Sequence, residues 1–206
     1  MGRIVMAGSA WFACALALLA TGPSQPRAQP GANAYSSAQV YVFTGLLGST
    51  STLDGVVTKI RQDGLPLSVF PSSGWSSAAA SAIQGYNSGR IGSIVVVGYS
   101  VGGAAALDMA MVLNQANVPV QLIVTVEPVL DPPVPPNVRS IINFYLPEGI
   151  SGPIARPPNF PGSIANVVED DPNIDHFTLV PAREDEIVGA VLAASRPTGA
   201  SRRMRR

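Results

Sequence analysis

The chain has 206 residues, enough for one domain, and an apolar share of 47% supplies a real hydrophobic core. The formal net charge is zero, but Tyr35 to Ala200 holds 7 basic residues against 13 acidic ones. A body of that sign argues against nucleic acid as a partner, and the short RRMRR terminus reads as a solvated tail.

In chain order, Arg3 precedes an uncharged run from Ile4 to Ala20, and a Pro/Gln/Gly-rich stretch follows. Basic, apolar and small-residue regions in that order predict a secretory signal peptide over residues 1–34. Ala32-Asn33-Ala34 supplies the small-x-small cleavage site, with a cut after Ala28 as the alternative and a retained membrane anchor as the competing reading. The expected location is therefore secreted or periplasmic, with membrane contact only through the signal segment or the basic tail. Cys14, the only cysteine, lies inside this segment. The mature chain then has no disulfide, no thiol nucleophile and no Cys-ligated metal.

The folded domain is expected over residues 35–195, and residues 196–206 form the tail. Gln39 to Thr44 reads as a strand running into Gly45-Leu46-Leu47-Gly48. A helix follows, with Ser51 and Asp54 as a capping box, Leu53, Val56, Val57 and Ile60 as its apolar face, and Gly64 as its stop. Leu65 to Phe70 is a second strand, and Trp75 to Tyr86 an Ala-rich helix. Ile94 to Val97, four apolar β-branched residues, predict a buried strand, and Ala104 to Asn114 a helix. Pro119 to Val126, Ser140 to Leu146 and Ser163 to Val168 read as further strands. Gly149 to Pro161 is irregular, and a last helix is predicted from Pro181 to Ala194. Strand and helix alternate, and the strands are apolar on both faces. That pattern predicts an α/β fold: a mostly parallel sheet with helices on both faces.

Between the central strand and its helix stands Gly98-Tyr99-Ser100-Val101-Gly102, a G-x-S-x-G turn. In such a turn a serine projects its hydroxyl from the carboxyl end of the sheet, where ligands of parallel sheets bind. A serine hydroxyl needs a base to become a nucleophile, and His176 is the only histidine. The imidazole in turn needs a carboxylate. Glu127 closes the strand after the Ser100 helix, and Asp131 is the alternative four residues on; Asp175 adjoins His176 and points elsewhere. Backbone N–H groups of Val101 and Leu46 are the expected oxyanion donors. One histidine and no mature cysteine argue against zinc, and no Gly-Lys-Ser/Thr loop is present. Neither a metal nor an organic cofactor is implied.

The order Ser…acid…His, the strand–GYSVG–helix turn and the Gly-containing loop after the first strand resemble the α/β-hydrolase superfamily over about Gln39 to Ala194. Within it, the likeness is to compact lipase- and thioesterase-like members. Thioesterase domains carry the acid after the strand that follows the nucleophile, which corresponds to Glu127. The stretches VTVEPV, NVRSIINFY and SIANVVEDDPNIDHFTL are similar to a group of small bacterial members, in which that acid is usually aspartate. The usual first two strands and an HGGG-type loop are missing from this sequence. The resemblance implies a serine hydrolase acting on a small-molecule acyl ester. A thioesterase and a non-catalytic envelope-binding module stand as alternatives. Pro153 to Pro161 is a candidate lining for an acyl pocket.

Overall fold

A computed structural model describes residues 37–46, 52–129 and 133–196. The expected signal segment, Asp131 and all of the basic tail but Arg196 lie outside the described residues. Six strands form one sheet: β1 (Ala38–Phe43), β2 (Leu67–Phe70), β3 (Ser93–Tyr99), β4 (Leu122–Val126), β5 (Ser140–Tyr145) and β6 (Ser163–Val168). They lie in the order β2-β1-β3-β4-β5-β6, and every pair is parallel. The helices are α1 (Asp54–Gln62), α2 (Trp75–Asn87), α3 (Val101–Gln115), α4 (Leu179–Ala182) and α5 (Glu184–Ser195).

Parallel neighbours need crossovers, and these carry the helices to both faces. On one face Val56, Val57 and Ile60 of α1 meet Ile187, Val188 and Val191 of α5 over Val40, Val42, Val95 and Val97. On the other, Ala78, Ala79 and Ala82 of α2 pack with Leu107, Met109, Ala110 and Leu113 of α3 over Tyr41, Phe43, Val96 and Ile123. The β-branched runs of β3 and β4 are buried from both sides, which is why they read as unbroken apolar segments rather than alternating ones.

Three expectations are corrected. The helix after the first strand starts at Asp54 behind Leu53, with no side-chain cap bond; Asp54 is its first residue, and Ser51 lies outside the described residues. The Ser100 helix starts at Val101 rather than Ala104, because Gly102 and Gly103 are absorbed into its first turn. The last helix is two. Asp175 accepts the N–H groups of Thr178 and Leu179 and so starts α4 ahead of Pro181, a position in the first turn where the missing N–H costs nothing. Arg183 then interrupts the run, its guanidinium bonded to Glu169 and Glu186. Gly64 does stop α1, at φ +77°.

Candidate active site

The carboxyl ends of β1, β3, β4 and β6 lead into the loops that carry Leu46, Ser100, Val101, Glu127 and His176. At the end of β3 the backbone of Ser100 takes φ 57° and ψ −126°, a conformation that an L residue rarely adopts. The neighbouring glycines make it possible. A Cβ on Gly98 would collide with the backbone of Gly102 and Gly103, and one on Gly102 with the carbonyls of Phe43 and Thr44. The chain can turn from strand to helix in one residue only because these atoms are missing. Ser100 N–H donates to Val126 O (2.9 Å), and Ser100 O accepts from Gly103 N–H (2.8 Å) and Val129 N–H (3.1 Å). Strain held by surrounding bonds in this way clusters at functional sites.

Val101 is the first residue of α3, so its N–H has no partner within the helix and points, with the helix dipole, toward the Ser100 turn. Gly45, after β1, lies against Ser100: a Cβ on it would stand 3.5 Å from Ser100 Cβ and 3.1 Å from the Tyr99 ring. Leu46 follows it, with its side chain 72% exposed.

Glu127 ends β4 with φ 46° and is fully buried. Of the four non-glycine residues at positive φ among the described residues, Asn117 and Asn159 are of the type that tolerates it, whereas Ser100 and Glu127 are not. A buried carboxylate requires hydrogen bonds. Glu127 Oε1 accepts Leu146 N–H (3.0 Å) and Ser151 Oγ–H (3.1 Å), and Oε2 accepts Ile150 N–H (3.1 Å). Gly149 lies against the carboxylate where a Cβ would clash with it. The segment carrying these donors is fixed to the sheet by an asparagine ladder. Thr125 Oγ1 donates to Asn143, Asn143 Nδ2 to Asn166 and to Gly152 O, and Asn166 grips both backbone groups of Ile154.

His176 Nδ1 stands 3.5 Å from Glu127 Oε2, and the histidine side chain is 22% exposed. That nitrogen is buried and makes no hydrogen bond among the described residues; nor does a hydrogen bond join Ser100 Oγ to His176. The ring is held by Tyr99, stacked at 4.9 Å between centroids, and by the edge of Phe177 at 5.3 Å. Tyr99 Oη–H donates to the His176 carbonyl (3.0 Å). Burial pushes the Tyr99 phenol up, against a hydrogen bond with Thr52. Asp175 turns away, as expected. It accepts from the Thr178 hydroxyl and from the N–H groups of Thr178 and Phe177, bonds that hold its carboxyl below the usual range. Asp108, on α3, is pushed up by burial.

A cavity of about 570 Å³ opens beside Glu127 and His176, lined by Leu146, Pro147, Ile150, Pro172 and Ile174 among others. None of Pro153 to Pro161 lines it; Pro161 borders a separate cavity beside Val120 and Val138. Within that stretch Ile154 and Phe160 are buried in the α2–α3 core.

Tyr99, the Glu127 cradle and the asparagine ladder were not singled out in the sequence. The tyrosine is a variable position of its motif, and the cradle is scattered over separate loops. The one available signal was Asn143 and Asn166, polar residues at central positions of otherwise apolar strands.

The sequence matches no family model and no curated protein. Solved structures are similar to it in fold. The type II thioesterase YbtT from a yersiniabactin NRPS/PKS biosynthetic pathway has a TM-score of 0.55 at 11% identity, over 82% of this chain and 98% of that chain. Human thioesterase 2 has a TM-score of 0.53 at 14% identity, over 79% and 99%. An arylesterase has a TM-score of 0.51 at 11% identity, over 78% and 76%. Together with the parallel sheet and the strand–serine–helix turn at its centre, these likenesses show that the chain has the α/β-hydrolase fold.

Proposed function

We propose that the chain is an exported serine hydrolase that cleaves carboxylic esters through an acyl-enzyme, with Ser100, His176 and Glu127 as its triad. Ser100 Oγ attacks the acyl carbon while His176 Nε2 takes its proton, and the imidazolium is stabilised by the Glu127 carboxylate. The tetrahedral oxyanion is held by the N–H groups of Val101 and Leu46. His176 returns the proton to the leaving alcohol, and the ester bond breaks. Water, deprotonated by His176, then releases the acid and regenerates Ser100. The 3.5 Å separation between His176 and Glu127 and the open Ser100–His176 contact suit a resting site, since catalytic hydrogen bonds often tighten only when substrate binds.

The observation that carries this reading is the Ser100 backbone. A serine held at φ 57° by two glycines, at the amino end of a helix, matches what a nucleophile on this fold requires and is hard to account for as an ordinary turn. Export rests on the Arg3-to-Ala20 pattern and favours esters, because acyl thioesters are largely intracellular. A thioester substrate is the second reading, favoured by the names of two of the solved structures of similar fold, both thioesterases. Turnover of p-nitrophenyl esters and of acyl thioesters, measured in parallel for the wild type and Ser100→Ala, decides between them. Ser100-dependent ester cleavage is expected. Ser100-dependent cleavage of thioesters alone moves the substrate class, and no turnover of either leaves a binding module.

A further inference from the structure

The two edges of the sheet are built differently. β2 is four residues long and bracketed by Pro66 and Pro71. Short strands and flanking prolines protect an edge against pairing with another chain. β6 has six residues, SIANVV, with neither a charge nor a proline, and the helices pack over β1 to β4 rather than over it. Val168 is among the few large apolar side chains left exposed, at 42%.

The direction of the free edge follows from the hydrogen bonds. Ser163 N–H donates to Arg139 O and Glu169 N–H to Tyr145 O, so the odd-numbered positions face β5. The N–H and C=O groups of Ile164, Asn166 and Val168 therefore face outward, and β6 pairs only with β5 among the described strands.

We propose that a second copy of this chain pairs antiparallel with β6, continuing the sheet across a two-fold axis. Outward groups must meet outward groups, and the register that pairs all three centres on Asn166 and sets Ile164 opposite the partner's Val168. This register makes about six inter-chain hydrogen bonds.

Charge selects a second copy over another strand. At the amino end of β6, Arg156 is held in place: its guanidinium donates to Phe160 O (2.7 Å) and lies 5.5 Å over the Phe160 ring. At the carboxyl end, Asp170 and Asp171 are exposed. Antiparallel pairing brings Arg156 beside the partner's Asp170 and the partner's Asp171, and the two-fold axis repeats the contact. A parallel arrangement would set acid beside acid. One ladder is a small contact next to the roughly 800 Å² per partner of a standard interface, so the dimer forms and dissociates with concentration. The pairing does not depend on whether Ser100 is a nucleophile.

Sedimentation velocity over a concentration series, on the protein purified from its producing cells, tests this. A shift from monomer to twice the monomer mass is expected. Val168→Pro removes only an outward N–H and should abolish the shift with an unchanged far-UV spectrum. Arg156→Glu should abolish it as well, as should Asp170→Arg together with Asp171→Arg, and combining all three changes should restore it. A monomer at every concentration overturns the proposal. So does a dimer that survives both Val168→Pro and Arg156→Glu.

Discussion

The nucleophile corner and the acid–histidine corner are built by opposite means. The first is six consecutive residues, Gly98 to Gly103, whose geometry is set by atoms that are missing: the Cβ groups that would strike Gly102, Phe43, Thr44 and Pro128. The second is assembled from the end of β4, the 146–151 segment and the loop after β6, and is set by polar groups that are present. A corner made by close backbone approach has no slack. A corner made by hydrogen bonds between loops can be loosened one bond at a time, and its Nδ1-to-carboxylate distance of 3.5 Å shows it partly open.

The contrast can be broken first at the rigid end. Gly98→Ala drives a methyl group into the Gly102 backbone and should cost about 3 kcal/mol of stability, read by thermal or urea unfolding, and abolish activity with it. A small effect would mean that the turn can relax. At the other corner, Glu127→Gln keeps volume but sets an amide N–H₂ either against the Leu146 N–H or, in the other orientation, against the Ile150 N–H and His176 Nδ1 together. A fall in kcat of roughly 10³-fold is expected, with a modest loss of stability. An equal and small loss in Glu127→Gln and Asp131→Asn would mean that the acid is misplaced.

Tyr99→Phe keeps the ring stacked on His176 and removes the phenol's bonds to the His176 carbonyl and to Thr52. About 1 kcal/mol is at stake, so kcat should fall roughly five-fold while labelling of Ser100 persists. The mildest change is with pH. The Asp175 carboxyl is held below its unfolded value by the Thr178 hydroxyl, so its contribution to the histidine loop is present above about pH 4 and is lost as pH falls through its lowered native value. Local amide exchange at Phe177 and Thr178 should rise in that acid window before the sheet unfolds, and Asp175→Asn should show the same rise at neutral pH.

The same division governs what could be read from the sequence. β3 and β4 lie under helices, so their β-branched runs announced them, and β6 was bounded by Gly162 and Glu169. The G-x-S-x-G turn was legible because close backbone approach leaves glycine as the only usable residue. His176 stood out as the molecule's only histidine, and Glu127 by its place at a strand end. The cradle of Glu127 was not legible: Leu146 and Ile150 act through backbone N–H groups, which carry no residue identity. The break at Arg183 was hidden for a related reason. It depends on a tertiary pairing with Glu169, fourteen residues away, while the local pattern of α5 is that of a continuous helix.

The central claim is that Ser100 is a nucleophile activated by His176. Treating the protein with a fluorophosphonate and locating the adduct by peptide mass spectrometry tests it most directly. The adduct should fall on Ser100, disappear in Ser100→Ala, and form at least about 10³-fold more slowly in His176→Ala. A wild-type protein that takes no label, or one labelled equally well without Ser100 or without His176, would contradict the account.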